Sequence, residues 1–384
     1  MVHDYDRDDF VKYREQLTAQ LLAGDADDMF DASIMSNMKL HESGYVADIY
    51  PLMRNDPDFN EDDYFMNVFE AISHKGKLMV FPTQFFYEFY GVNNRFSADL
   101  VARFQQSETV TNRQIVELYK EFAGESGLYA YQDLDTLIFL LRNIQEYIDY
   151  ENKTCDFVNG EFIKLLHDLK EATNPQRIAN GFLGTSGDHE LIFTTPMLEE
   201  EALKYMFRYA DSGQFYYPAL FPFVEPQAFM DFKPVVTESG ELQIGVLRDF
   251  AISEASTNKE LAWEFLKFLT TPEANDEEYP QLFFPVHRGL FQSYMKVDLA
   301  ERAEYWRERK AIDGDNEAVA ARQIAIYEKH LAMPMKECYR LISGGTGSIG
   351  ELMLESITAY CQDMLTAELL ASELQNKVSI YLIE

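Results

Sequence analysis

The sequence has few cysteines, few basic residues and no long apolar run. Its three cysteines, Cys155, Cys338 and Cys361, are far apart and form no CxxC pair, which excludes a disulfide scaffold and a cysteine zinc site. Only 33 Lys and Arg stand against 65 Asp and Glu, for a net charge of −32. A chain of this charge repels nucleic acid and anionic membrane surfaces, so neither is an expected partner.

No apolar run approaches the ~18 residues that cross a bilayer, and the charged start "MVHDYDRDDF" is not a signal peptide. Either the protein is intracellular or an export segment has been removed, and the residues alone leave this open. The seven histidines are dispersed without HExxH or paired spacing, and no GxSxG motif occurs. We therefore predict no catalytic residues, no metal and no cofactor.

Two motif-like stretches are given structural interpretations. "GTGSIG" (345–350) matches the GxGxxG pattern, but a helix-like stretch precedes it and only 34 residues follow, so we predict a turn before a helix rather than a nucleotide site. In "DYDRDDFVKYRE" (4–15), Asp4, Asp6, Asp8 and Glu15 fall at calcium-loop positions. Because Asp9 stands where that loop needs glycine, an acidic helix start is favoured over calcium.

The 384 residues are enough for two domains, and 47% hydrophobic and 14% aromatic residues are typical of a globular protein. Short apolar runs that predict strands alternate with helical periodicity. The predicted strands are 28–33, 77–82 (closed by Pro82), 190–196 and 242–253, and the clearest predicted helices are 9–23 and 159–172. This alternation predicts an α/β fold with largely parallel strand pairing.

The stretch "LRDFAISEASTNKELAWEFLKFLTTP" (247–272) predicts a strand, a turn and a helix. Thr257 and Glu260 have the spacing of a capping box, in which each side chain bonds the other residue's free N–H. The helix is expected to bury one apolar stripe, formed by Leu261, Phe265, Phe268 and Leu269.

Aromatic residues are concentrated at 85–90 and 215–223. Aromatic rings can bind the C–H faces of sugars, although a single ring lies in a protein core more often than in a ligand site. Residues Gln84 to Tyr87 follow the end of a predicted strand, which is where ligands bind in open α/β sheets.

Four stretches in order along the chain resemble the extracellular solute-binding proteins, family 1, of carbohydrate ABC importers, Gram-positive lipoprotein type. They are "LTAQLLAGDADDMFDAS" (17–33, with Asp27 where proline is usual), "GKLMVFPTQFF" (76–86), "FAISEASTNKELAWEFLKFLTTPE" with the following "FFPVHRG", and "AELLASELQNKVSIYLIE" (367–384). The likeness spans essentially the whole chain.

The resemblance implies a two-lobed fold of the periplasmic-binding-protein type II, each lobe a mainly parallel sheet flanked by helices, with the ligand cleft between the lobes. Lobe 1 would be 1–88 plus 247–297 and lobe 2 would be 89–246 plus 298–384. The hinge crossings would fall near 82–92 and 242–253. The likeness begins at about the family's second strand. We therefore expect one of two things: the start of the sequence is truncated, or the first lobe is built without the family's first strand.

The resemblance also implies a set of ligand-binding residues. They are Asp31, Ser33, Asn37, Gln84, Phe85, Phe86, Tyr87, Thr194, Thr195, Met197, Asp249 and Phe250. Sugar binders of the family often stack a tryptophan on the ligand, but Trp263 falls in a packing helix and Trp306 in a charged helix. Tyrosine and phenylalanine would have to serve instead.

The function implied is that of a monomeric, lipid-anchored, extracellular receptor that captures a small solute, an oligosaccharide above all, and delivers it to the permease subunits of an ABC importer. The anchor itself is not visible in this chain. Two alternatives remain: a degenerate member that acts as a sensory or scaffold partner without transport, and a glycosidase that uses cleft carboxylates.

Overall fold

The computed structural model describes residues 7–33, 35, 37–94, 96–122, 129–131, 140, 144–172, 205–211, 229–275, 283–296, 316–338 and 349–383. The chain divides into two compact units. Unit 1 comprises Met1–Tyr87, Ser212–Phe215 and Gly240–Glu351, and unit 2 comprises Glu88–Asp211, Tyr216–Ser239 and Leu352–Glu384. The lobe boundaries and hinge positions implied by the resemblance stay predictions.

The strands are β1 Met29–Asp31, β2 Phe81–Asn93, β3 Val110–Thr111, β4 Tyr129–Tyr131, β5 Ile148–Asp149, β6 Thr154–Cys155, β7 Tyr205–Asp211, β8 Phe229–Val236, β9 Leu242–Ile252, β10 Phe284–Pro285 and β11 Met335–Glu337. The helices are α1 Arg7–Ala23, α2 Asn37–Ser43, α3 Ile49–Asn55, α4 Met66–Ile72, α5 Ala98–Phe104, α6 Asn112–Phe122, α7 Gly160–Ala172, α8 Lys259–Phe268, α9 at 288–296, α10 Asn316–Leu331, α11 Ile349–Cys361 and α12 Ala367–Ile383. Short 3₁₀ turns lie at Glu61–Asp63, Ile144–Tyr147 and Pro272–Ala274.

The sheet of unit 1 is built around β9. The first half of β2 pairs with one edge of β9, while β1 and β11 pair with the other edge, and β10 continues the sheet beyond β2. Every residue of β2 is buried, which is typical of a strand covered on both faces. Phe81 stacks on Phe69 of α4 at 5.2 Å and meets Trp263 of α8 edge-on at 5.5 Å, so both helices cover the same face of the sheet.

Unit 2 has a sheet in the order β4, β7, the second half of β2, β8 and β3. The register of β2 against β8 shifts at Gly91, where a Cβ would stand 2.7 Å from the Phe232 ring, so the glycine permits this close approach. Polar contacts join α11 to α7 and α12 to β6. Tyr360 of α11 donates to the Leu166 carbonyl at 2.7 Å, and Gln375 of α12 donates to the Cys155 carbonyl at 2.9 Å.

The predicted α/β class is confirmed, but the predicted parallel pairing holds for only part of it. Among the described strands, β11 with β9, β3 with β8 and β4 with β7 are parallel, and the other pairings are antiparallel. In unit 1 the physical reason is the direction of the chain. Strand β2 carries the chain out of the unit and β9 carries it back in, so the two must run antiparallel where they pair.

Several predicted elements are confirmed within a few residues. Helix α1 ends at Ala23 and is followed by Gly24, whose φ of +68° is readily available to glycine, and α7 (Gly160–Ala172) matches the predicted 159–172. The strand predicted at 77–82 is wrong in its bounds, because β2 begins at Phe81 and continues to Asn93. Pro82 lies second in the strand, near its start, where a missing N–H is tolerated.

The capping box predicted at Thr257 does not form. The N-cap of α8 is Asn258, without a side-chain cap bond. The turn is instead held by the Asp28 carboxylate, which accepts from the Ser256 hydroxyl at 2.6 Å and from the Asn258 amide at 3.0 Å. These two hydrogen bonds, Ser256 first, lower the pKa of Asp28. Hydrogen bonds to Asp28, which is far from α8 in the sequence, thus replace the local cap.

The apolar stripe predicted for α8 is exposed rather than buried. Leu261 is 71% exposed, and Phe265 and Phe268 are each 46% exposed. The buried face is formed instead by Ala262, Trp263 and Leu266. Both sets are apolar and lie at helical spacing, so the periodicity alone did not decide which would face the sheet.

We expect Ser97→Ala to cost about 1 kcal/mol of unfolding free energy, because Ser97 caps α5 by accepting from the Leu100 N–H at 3.0 Å. Thr257→Ala serves as the matched control and should change stability by less than about 0.5 kcal/mol, since Thr257 is exposed and is not the cap. Urea unfolding followed by circular dichroism measures both. An equal cost for the two variants would contradict the cap assignment.

Candidate functional site

The end of β1 presents an exposed carboxylate whose orientation is set by its own turn. Asp31 is the last residue of the strand and lies opposite Phe250 of β9. The Ser33 N–H and hydroxyl both donate to Asp31 Oδ1, at 2.9 and 2.5 Å. One carboxylate oxygen is therefore held by the turn, and the group remains accessible to an incoming donor.

Two polar side chains of the predicted set are buried in the middle of the sheet. Gln84 of β2 is 2% exposed and Asp249 of β9 is 1% exposed. Gln84 lies opposite Leu247, and Asp249 lies opposite Pro82, so alternation along the strands places both side chains on the same face. By the same alternation Gln243 of β9, also buried, lies on this face, which therefore carries at least three polar side chains.

The Gln84 amide has an unused donor. Its Nε2 is buried and has no hydrogen-bond partner within the described part of the chain. Buried polar side-chain atoms are nearly always hydrogen-bonded, because a lost partner costs about 1–3 kcal/mol. An amide in this state is a candidate for donating to a bound solute.

Phe250, the other predicted residue of β9, lies on the face of the sheet opposite Gln84 and Asp249. Phe250 pairs with Asp31 on one side and with Phe81 on the other, so these three side chains share a face that Gln84 and Asp249 do not. Phe250 is partly exposed. The structure thus brings Asp31 together with Phe250, and Gln84 together with Asp249, as two separate pairs.

The three aromatic residues predicted to contact ligand are in the core of unit 1. Phe85, Phe86 and Tyr87 are at most 1% exposed. Phe85 meets the Phe65 ring at 5.6 Å, and Phe86 meets the Phe283 ring at 5.5 Å. For these rings the structure favours the packing interpretation over ligand stacking.

Tyr87 carries the only hydroxyl among these three rings. Its OH lies 3.1 Å from His330 Nδ1, and its ring meets Phe284 at 5.6 Å. Burial raises the pKa of Tyr87 well above its ordinary value, so the phenol stays protonated. Sequence reasoning missed the His330 contact, since the two residues are far apart in the chain and carry no shared motif.

The other predicted residues contribute less to the description of the site. Thr194, Thr195 and Met197 lie outside the described residues, and Asn37 is the first residue of α2. Trp263, which was predicted to lie in a packing helix, is buried and donates to Asp56 Oδ2 at 2.8 Å. The indole ring of Trp263 is therefore not available for stacking on a ligand.

Further polar residues of the long strands were missed, although a signal existed. Glu88 and Asn93 of β2 in unit 2, and Gln243 of β9 in unit 1, are buried. Each is a polar residue within a mainly apolar stretch of the sequence, as in "FFYEFYGVNN". Arg248, beside Asp249, has a φ of +50°, which is uncommon for a residue other than glycine and for which the sequence carries no signal.

Within the described ranges, no group of three or more His, Cys, Asp and Glu side chains is arranged to hold a metal ion. Of the described helices, none combines the length and apolar character needed to cross a membrane. Within the predicted set, the polar groups of unit 1 include the unpaired donor of Gln84, the buried Asp249 and the exposed Asp31.

No family model matches the chain, and no curated protein matches it in sequence. Its structure is nonetheless similar to solved structures over nearly its whole length. A candidate oligosaccharide periplasmic-binding protein from Synechococcus sp. MITs9220 matches with a TM-score of 0.57 at 14% identity, covering 97% of this chain and 89% of that one.

Two further structures agree with this match. An extracellular solute-binding protein family 1 from Alicyclobacillus acidocaldarius has a TM-score of 0.56 at 12% identity, and a sugar-binding protein from Xanthomonas citri has 0.56 at 13%. Each match covers 97% of this chain and 88% of the other. The resemblance noted in the sequence is therefore confirmed at the level of the fold, which is the two-lobed α/β fold of the periplasmic-binding-protein type.

Proposed function

We propose that this protein is the solute-binding component of an ABC importer, that its solute is an oligosaccharide and that it presents this solute to membrane permease subunits. The observation that carries the proposal is the likeness of the fold, over 97% of the chain, to proteins described as oligosaccharide and sugar binders. An extracellular location, a lipid anchor and a monomeric state belong to the same proposal.

The polar groups of unit 1 support a sugar more than an apolar ligand. Sugar hydroxyls both donate and accept, so they match the Gln84 amide donor and the Asp249 carboxylate acceptor, which lie on the same face of the sheet. The exposed Asp31 and the partly buried Phe250 form a separate pair on the opposite face of the sheet, so one sugar does not contact both pairs. Within the predicted contact set, we therefore propose Gln84 and Asp249 as the contacts of the sugar.

The scaffold alternative is supported by a specific observation. Three of the predicted contact rings, Phe85, Phe86 and Tyr87, are packed in the core. A receptor whose aromatic contacts are used for packing has fewer surfaces left for stacking a sugar. The two functions differ in a measurable way, because only the receptor binds a small solute.

A thermal-shift panel of mono- and oligosaccharides, amino acids and peptides tests the proposal. A solute that binds only the folded state stabilises it by about 2.7 kcal/mol at a hundredfold excess over Kd, so the melting temperature should rise with one sugar class. A rise in melting temperature only with peptides or amino acids would exclude a sugar as the solute. A flat panel with well-folded protein would favour the scaffold.

Variants of the two buried polar residues test the contacts once a sugar is found. We expect Gln84→Leu and Asp249→Asn each to weaken binding by about tenfold, or 1.4 kcal/mol, measured by isothermal titration. Gln16→Leu, at an exposed position of α1, is the matched control and should bind like the parent. Unchanged binding in both site variants would place the sugar elsewhere.

A further inference from the structure

Helix α8 exposes an apolar face that the described residues of unit 1 leave uncovered. We call Leu261, Phe265 and Phe268 the α8 patch. Their exposed fractions are 71%, 46% and 46%, and the centroids of the two phenyl rings are 6.1 Å apart. Exposed single apolar residues are common, but a contiguous stripe of large ones more often marks a contact surface.

The α8 patch continues into a cavity. The cavity has a volume of about 370 Å³ and lies between the end of α8, the segment 58–64 and His287. Phe268 belongs to both the patch and the cavity wall, where Phe59, Tyr64 and His287 add further rings. Stripe and cavity therefore form one surface, which can receive an extended row of apolar side chains with one of them inserted.

The rim of this surface is acidic. Asp58, Asp63 and Glu264 line the cavity and are exposed. Among the described lining residues the one cationic side chain is Lys267, which is already paired with Asp56 and lies 2.9 Å from Glu264. The surface thus presents an apolar centre with a negative border.

Charge decides which occupant fits. A second copy of this chain also carries −32, and an anionic membrane carries the same sign as the rim, so both are repelled. A cationic helix with one apolar face is complementary on both counts, because its apolar side chains cover the patch while lysine or arginine meets the rim.

We propose that the α8 patch and the adjoining cavity form a docking surface for a cationic amphipathic segment of a partner protein. Leu261 and Phe265 contact the apolar face of the segment, and the cavity beside Phe268 receives one large apolar side chain. Asp58, Asp63 and Glu264 pair with basic residues at its border. This surface belongs to unit 1 and uses none of the residues proposed to bind solute.

Two synthetic peptides of equal charge test the proposal. One is a helical peptide of lysine and leucine with a single tryptophan on the apolar face, and the other has serine in place of every apolar residue. We expect the amphipathic peptide to bind at least tenfold more tightly by fluorescence anisotropy, because any lysine peptide gains the general attraction of the acidic chain but only the first gains apolar contact.

Variants separate the patch from the rest of the surface. The triple variant Leu261→Ser, Phe265→Ser and Phe268→Ser should lose that tenfold preference. The control Leu369→Ser with Ile380→Ser, which removes apolar side chains 54% and 58% exposed on α12, should keep it. Asp58→Asn with Asp63→Asn should weaken the amphipathic peptide several-fold and reduce its dependence on salt.

Three results would overturn the proposal. The first is equal binding of the two peptides to the parent protein, and the second is an unchanged preference in the triple variant. The third is a concentration-dependent dimer of the parent in sedimentation that the triple variant abolishes, since the occupant would then be a second copy. Because all substituted positions are exposed, circular dichroism should show each variant folded, and solute binding should be unaffected.

Discussion

Replacing Lys267 with methionine is expected to lower the free energy of unfolding by about 3 kcal/mol, measured by urea unfolding. The Lys267 ammonium contacts the Asp56 carboxylate, and the two side chains are only 13% and 6% exposed. Trp263 Nε1 donates to the same carboxylate at 2.8 Å. Methionine keeps much of the volume without the charge, so the buried Asp56 would lose its cation.

The pH dependence of this loss gives a second readout. Burial alone would raise the pKa of Asp56, but hydrogen bonds from Lys267, the Asp58 N–H and Trp263 lower it below its ordinary value. A carboxyl group with a lowered folded-state pKa stabilises fully above its unfolded pKa, and this contribution is lost as the pH falls through the folded value. The difference between parent and variant should therefore be full at neutral pH and shrink below about pH 4.

A matched lysine distinguishes this pair from an ordinary surface contact. Lys164 lies 3.4 Å from Asp168 but is 72% exposed, so Lys164→Met should cost less than about 1 kcal/mol. The double variant Asp56→Asn with Lys267→Met should recover part of the loss, because no charge then stays buried alone. If Lys267→Met costs no more than Lys164→Met, the buried pair does not stabilise unit 1.

Truncating Phe81 to alanine is expected to cost about 4 kcal/mol, the largest effect predicted for a single side chain here. Phe81 is fully buried, stacks on Phe69 and meets Trp263 edge-on, so it joins β2 to both α4 and α8. Alanine would leave a cavity between the sheet and these two helices. Urea unfolding and the melting temperature measure the loss.

Phe268→Ala is the matched control for this prediction. It removes the same atoms from a ring that is 46% exposed, so we expect a loss below about 1 kcal/mol. A similar cost for the two phenylalanines would mean that the ring of Phe268 is buried in solution. That result would also contradict the exposed α8 patch.

The sequence by itself determined the kinds of elements and much of their placement. The apolar period and Gly24 predict α1 and its end, and the runs at 28–33 and 242–253 predict β1 and β9. The two-lobed fold was predicted through the family resemblance of the four ordered motifs taken together, because each motif alone is a short local element that several folds could contain. Local sequence patterns predict a helix or strand correctly where neighbouring residues alone determine it.

The sequence alone did not determine which face of a helix or strand is buried. Helix α8 has two apolar sets at helical spacing, and the set with Trp263 is buried because Phe81 and Asp56 meet it across the unit. The capping box at Thr257 failed for a similar reason, since the distant Asp28 carboxylate holds the turn. In both cases partners far apart in the chain outweighed the local pattern.

The candidate site shows the same division. The family resemblance selected Gln84, Asp249, Asp31 and Phe250, which do lie on neighbouring strands, but it could not place them on two opposite faces of the sheet. Strand register decides the face, and register is set by pairing between segments more than 150 residues apart, such as β2 and β9. The residue types were therefore readable from the sequence, whereas burial, facing and the unused Gln84 donor were decided only when the strands paired.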